Sequence, residues 1–171
     1  MEAGFHVICD KPMASSLGEA QAMARAAQAS GRAFILTHIY AGYPMVRQMR
    51  AMVQSGLLGQ LRIIQAHYAQ DWLATPLEQQ DHKQAAWRTD PARSGGGGAL
   101  GNIGKGNQLR LSLFGSAGDV EWDQELPNQL RHTRVGEPSR ILERGNDLMG
   151  IGGYITRLPG HHPEGYLEAF A

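Results

Sequence analysis

Short apolar blocks separated by polar turns run through the chain, the pattern of buried strands and amphipathic helices. Residues 5–9 are apolar and rich in β formers, which predicts a buried strand. Asp10-Lys11-Pro12 closes it, because proline cannot donate to a ladder. Ser16-Leu17-Gly18-Glu19 has the form of a capping box, so residues 20–29 read as a helix that stops at Gly31. Residues 33–37 are a second short strand. Strand, helix and strand at this spacing make a βαβ unit with parallel strands. Residues 45–54 form a further helix with Pro44 near its first turn, and residues 61–69 alternate as a strand with one buried face.

Periodicity fails over residues 72–98. Pro76, Pro91 and the glycines at 95–98 predict a long irregular segment there. Alternation returns at Leu109, Leu111 and Leu113. A turn at 115–118, a strand starting at 120–122, and candidate strands at 130–134 and 140–143 predict an antiparallel meander. The expected fold class is therefore α/β followed by α+β: a βαβ piece, then a mostly antiparallel open sheet with flanking helices.

Composition narrows the function. Lys plus Arg and Asp plus Glu both number 16 in 171 residues. The two halves are equally balanced, which gives no electrostatic support for nucleic-acid binding or for a charge-held membrane anchor. Apolar residues make up 42% and charged residues 19%, as in a globular domain. The 22 glycines imply many turns or close backbone approaches. A single cysteine, Cys9, excludes an internal disulfide framework and a cysteine metal cluster. Its apolar neighbours predict a small buried side chain. The N-terminus lacks a basic start and a long apolar core, and no stretch is apolar over the ~20 residues that span a bilayer, so the expected location is cytoplasmic.

Few motifs survive inspection. Gly96-Gly97-Gly98-Ala99-Leu100-Gly101 matches G-x-G-x-x-G by count but follows a polar loop instead of a strand, and Gly104-Lys105 lacks the Ser or Thr of a phosphate loop. His161 and His162 are adjacent, so on an extended chain they point apart, and no metal site is expected. Lys11 is more promising. It lies just past the carboxyl end of a predicted parallel strand, where open α/β sheets hold ligands. There it is either a donor to a substrate hydroxyl or a solvated loop lysine. Trp87 and Arg88 offer an aromatic wall and a cation for an anionic group, or else a structural Trp with a surface ion pair. Tyr40, Tyr43 and Tyr68 either line a sugar site or belong to the core.

Taken together, these segments resemble the glucose–fructose oxidoreductase / inositol dehydrogenase / rhizopine-catabolism (Gfo/Idh/MocA) family. The stretch Gly4-Phe5-His6-Val7-Ile8-Cys9-Asp10-Lys11-Pro12 carries the resemblance, as do Thr37-His38-Ile39-Tyr40-Ala41-Gly42-Tyr43-Pro44 and Ser55-Gly56-Leu57-Leu58-Gly59. Trp87-Arg88-Thr89-Asp90-Pro91 with the glycine run, Trp122-Asp123-Gln124-Glu125 with Pro127-Asn128, and His162-Pro163-Glu164-Gly165-Tyr166 follow in family order. The resemblance implies residues 1–41 as the end of a Rossmann domain and residues 42–171 as part of an α/β domain for substrate and oligomer contacts. It implies hydride transfer between NAD or NADP and a sugar or polyol hydroxyl. Lys11 would touch substrate and cofactor. Pro12, Trp87 and Arg88 would lie on the cofactor side, and Tyr40 and His162 on the substrate side. A homo-oligomer through the open sheet face is also implied, with no nucleic-acid or membrane partner.

Departures from the family pattern are equally specific. The chain starts at what resembles a late Rossmann strand, without the glycine-rich phosphate turn or the acidic ribose ligand. Asn102 stands at the family's aspartate, and Gly106 stands where the family carries its proton-shuttling histidine. An internal block is expected to be missing, with the join near residues 104–105. These departures predict a fragment that is not a competent catalyst. The alternative is a non-catalytic sheet domain that mediates oligomerisation.

Overall fold

A computed structural model describes residues 1, 3–71, 75–94, 106–145, 158 and 165. The chain divides into two compact units, residues 1–38 with 71–104 and residues 39–70 with 105–171.

The first unit contains the expected βαβ element. Strand β1 (Val7–Cys9) pairs in parallel with β2 (Phe34–Leu36), joined by helix α1 (Leu17–Ser30). Ser16 accepts from the Glu19 N–H and the Glu19 carboxylate accepts from the Ser16 N–H, so the capping box is complete. Gly31, with φ of 62°, ends the helix in the left-handed conformation that glycine adopts without a Cβ clash.

Burial differs from expectation. Ile8 and its partner Ile35 remain 75% and 54% exposed, and α1 buries no residue. The alanine-rich helix has little apolar surface to lay on a two-stranded sheet, so one face of the pair stays open. Cys9 is accordingly half-buried, not enclosed, with its Sγ 3.3 Å from the Asp10 carbonyl.

The segment read as irregular contains a short 3-10 turn (Leu77–Gln79) and helices α4 (Lys83–Arg88) and α5 (Pro91–Ser94). Both helices start on side-chain caps that the pattern of apolar residues does not reveal. His82 Nδ1 accepts from the Ala85 N–H at 3.2 Å, and the Asp90 carboxylate accepts from the Ala92 N–H at 3.0 Å. Pro91 acts as a first-turn residue and not as a break.

In the second unit, α2 (Ile39–Gly42) leads into α3 (Pro44–Gln54), followed by a five-stranded antiparallel sheet in the order β3-β4-β5-β6-β7. The strands are β3 (Leu61–Ala69), β4 (Gln108–Gly115), β5 (Gly118–Asp123), β6 (Gln129–Arg134) and β7 (Arg140–Glu143). Met45, Met49 and Met52 recur at helical spacing and are fully buried with Leu113, Val120, Trp122 and Leu130. Truncating Leu130 to alanine is expected to cost about 2–5 kcal/mol, read as a lowered urea midpoint at unchanged slope.

On the opposite sheet face, Arg110 pairs with its cross-strand partner Asp123 at 2.7 Å, and Arg131 pairs with Glu121. No helix of the described residues is long and apolar enough to cross a membrane.

Candidate active site

The carboxyl ends of β1 and β2 bring Asp10, Lys11 and Thr37 together. The Asp10 carboxylate accepts from the Lys11 backbone N–H at 2.8 Å and from the Thr37 hydroxyl at 2.7 Å. Thr37 reaches this position because β2 runs parallel to β1 in register Cys9↔Leu36. Lys11 is exposed, and its peptide bond to Pro12 is cis. A cation thus stands on a loop whose base is tied across the two strand ends.

Those same contacts hold the Asp10 carboxyl below its ordinary value of 3.8, the Thr37 hydroxyl being the largest cause and the Lys11 N–H the next. A depressed carboxylate stabilises the folded state above its unfolded value and loses that contribution as pH falls through the folded one. Thr37→Val is therefore expected to raise the Asp10 titration midpoint toward 3.8. Carboxyl carbon NMR against pH measures this, and an unchanged midpoint would refute the assignment.

Trp87 and Arg88 close α4 within the same unit as Lys11. The Arg88 guanidinium lies 5.3 Å from the centre of the Trp87 ring, within cation–π range. Asn102 and His162, also expected in the site, lie outside the described residues.

In the second unit, Tyr40 belongs to a polar network. Its hydroxyl lies 3.1 Å from the Tyr68 hydroxyl and accepts from the Asn107 amide at 3.2 Å. Tyr68 donates to Asn107 Oδ1 at 2.6 Å, and the Gln70 amide donates to Tyr68 and to Asn107, both at 2.7 Å. The Tyr40 and Tyr68 rings meet edge to face with centres 5.8 Å apart. Tyr43, by contrast, is 3% exposed and packs on Trp122, so it belongs to the core. Phenols and carboxamides beside aromatic faces are the chemistry that recognises hydroxylated ligands, since each group donates and accepts.

Asn107 and Gln70 were not singled out from the sequence. They meet through the β3–β4 register, which pairs Ala69 with Gln108, and no local motif encodes that register. Among the described residues no group of His, Cys, Asp and Glu is arranged to hold a metal ion.

Comparison with known proteins identifies the lineage. Residues 1–38 match the family model described as an oxidoreductase family with an NAD-binding Rossmann fold, and residues 46–105 match the GFO/IDH/MocA C-terminal domain. An uncharacterized oxidoreductase of Bacillus subtilis (strain 168) is 26% identical over 231 positions, covering 100% of this chain and 59% of the relative. Levoglucosan dehydrogenase of Pseudarthrobacter phenanthrenivorans is 31% identical over 102 residues, 60% of this chain and 25% of that protein. Among solved structures, an inositol dehydrogenase homolog from Azotobacter vinelandii complexed with NAD+ superposes with a TM-score of 0.85 at 28% identity. A second structure of that homolog, with NADH and myo-inositol, gives 0.82 at 27%. The match covers 99% of this chain and 59% and 58% of those two chains, so the chain spans under two thirds of the relatives it resembles. Two matched segments in family order and a fold shared with these neighbours establish that the chain belongs to the Gfo/Idh/MocA family and carries part of its fold.

Proposed function

We propose that the chain is the substrate-facing portion of a dehydrogenase that moves a hydride between a nicotinamide cofactor and a hydroxyl-bearing carbon of a sugar or polyol. Lys11 is the donor to the reacting hydroxyl, with Pro12, Trp87 and Arg88 on the cofactor side. The observation that carries this reading is the position of Lys11. It follows a parallel strand at the carboxyl edge, in the segment matched by the NAD-binding family model. The Tyr40–Tyr68–Asn107 network supports the substrate class, as do the myo-inositol and levoglucosan bound in family structures.

Helix α1 offers no phosphate site of its own. The Glu19 carboxylate accepts from the Ser15 N–H at 3.2 Å and the Ser16 N–H at 3.1 Å, which sets a negative charge at the start of that helix. We therefore assign this polypeptide polyol recognition without competent turnover. An internal join near residues 104–105 accords with this. The C-terminal family model stops at residue 105, and the Bacillus alignment runs over 231 positions against 171 residues.

Saturation-transfer NMR with myo-inositol tests the substrate half. Lys11→Met is expected to weaken binding about three- to tenfold, the worth of one hydrogen bond. Unchanged binding in that variant would overturn the assignment. A second reading, homo-oligomerisation through the sheet, draws on the exposed Ile63 and Ile64 of edge strand β3, at 52% and 62%. Sedimentation velocity distinguishes a monomer from a dimer.

A further inference from the structure

Strand β3 is the long edge of the antiparallel sheet, and among the described residues β4 is its one neighbour. Residues 62–68 are all exposed, whereas β5 at the sheet centre alternates buried and half-buried positions. Ile63 and Ile64, on opposite faces, are 52% and 62% exposed. An unpaired apolar edge is a template for a further strand. The usual devices that blunt such an edge are absent from residues 63–69, which hold no proline and no Lys, Arg, Asp or Glu. The one irregularity is the register shift between Leu61 and Ile63, at the end of the strand.

Two features select a second copy of this chain as the added strand. Like charges opposed across a strand pair destabilise it, and residues 63–69 bring none to a pairing with themselves. The stretch beyond the register shift is also centred on Ala66, so antiparallel pairing about a two-fold axis there keeps every side chain on its own face. That register sets Ile64 against the partner's Tyr68, the aromatic with β-branched contact that cross-strand pairs favour. It sets Gln65 against the partner's His67, a donor and acceptor on each side, and small alanines meet at the axis. The sheet face that carries Arg110–Asp123 and Arg131–Glu121 is a poorer seat, because covering it would strip water from those ion pairs.

We propose that two copies of the chain pair antiparallel along β3, edge to edge, so that their two sheets become one continuous sheet. This rests on the oligomerisation reading above and names its contact. The pairing also bears on the polyol network. It lays the partner's Ile64 beside Tyr68, which is 46% exposed and donates to Asn107, and the two networks stand on the same face of the joined sheet.

Sedimentation velocity of the full chain over a concentration series tests this, together with disulfide trapping in a Cys9→Ser background. The chain should dimerise reversibly. Ile63→Lys and Ile64→Lys, both at exposed positions, should each weaken the dimer about tenfold or more. Ile141→Lys, at a 54% exposed position on the opposite edge strand, should leave it unchanged. Ala66→Cys should oxidise to a covalent dimer, because directly opposed Cβ atoms lie about 4.5–5.5 Å apart, close to disulfide reach. Ile141→Cys should not. A monomer at every concentration would overturn this inference and the oligomerisation reading together. A dimer that withstands both β3 lysines, or that traps at residue 141 and not at 66, would overturn this pairing alone.

Discussion

Gly115→Ala is expected to destabilise the antiparallel sheet by about 3 kcal/mol or more, because the new methyl meets backbone that cannot retreat. A Cβ at Gly115 would lie 2.0 Å from the Leu58 carbonyl oxygen, far inside any real contact. That carbonyl is fixed, since it accepts from the Ala117 N–H at 2.9 Å and Leu58 itself is 1% exposed. The turn after α3 and the β4–β5 hairpin are thus held together through a site where only hydrogen fits. At about 2–4 °C per kcal/mol for a chain of this length, the melting temperature should fall by about 6–12 °C. Gly136→Ala is the control. Its φ of 80° carries strain, but a Cβ there meets nothing within 4 Å, so a loss of about 1 kcal/mol is expected. Equal melting of the two variants by circular dichroism would refute the close-approach argument.

The second large effect concerns turnover. With NAD+ and myo-inositol in excess, nicotinamide reduction by this chain should fall below detection. The resemblance puts Gly106 where the family carries its proton-shuttling histidine, and general acid–base help is worth about 10²–10⁴ in rate. Gly106 is exposed, and a Cβ there meets nothing within 4 Å, so Gly106→His should fold normally. It should nevertheless not recover activity, because on the proposed reading this chain does not bind the dinucleotide competently, and an imidazole supplies only the proton shuttle. Recovery of reduction in Gly106→His would show that the cofactor is bound after all.

How much was legible beforehand follows the range of each interaction. The capping box at Ser16 and Glu19, the stop at Gly31, the helix over residues 45–54 with Pro44 near its first turn and the alternation of β4 are encoded within a turn or two of chain, and each was visible as residue pattern. Helix α4 was missed because its cap is His82, a residue outside the usual capping set. The exposure of Ile8 was missed because burial depends on how many strands flank it, which local pattern cannot report. In the candidate site, Lys11 was reachable from strand-end logic. Its partner Thr37 needed the parallel pairing, and Asn107 with Gln70 needed the β3–β4 register.

Fluorescence titration of the purified chain with NADH tests most directly the proposal that this polypeptide recognises a polyol without competent cofactor binding. The account predicts no saturable binding below about 1 mM, a free energy weaker than about −4 kcal/mol. A dissociation constant near 10 μM, about two decades tighter, would contradict it.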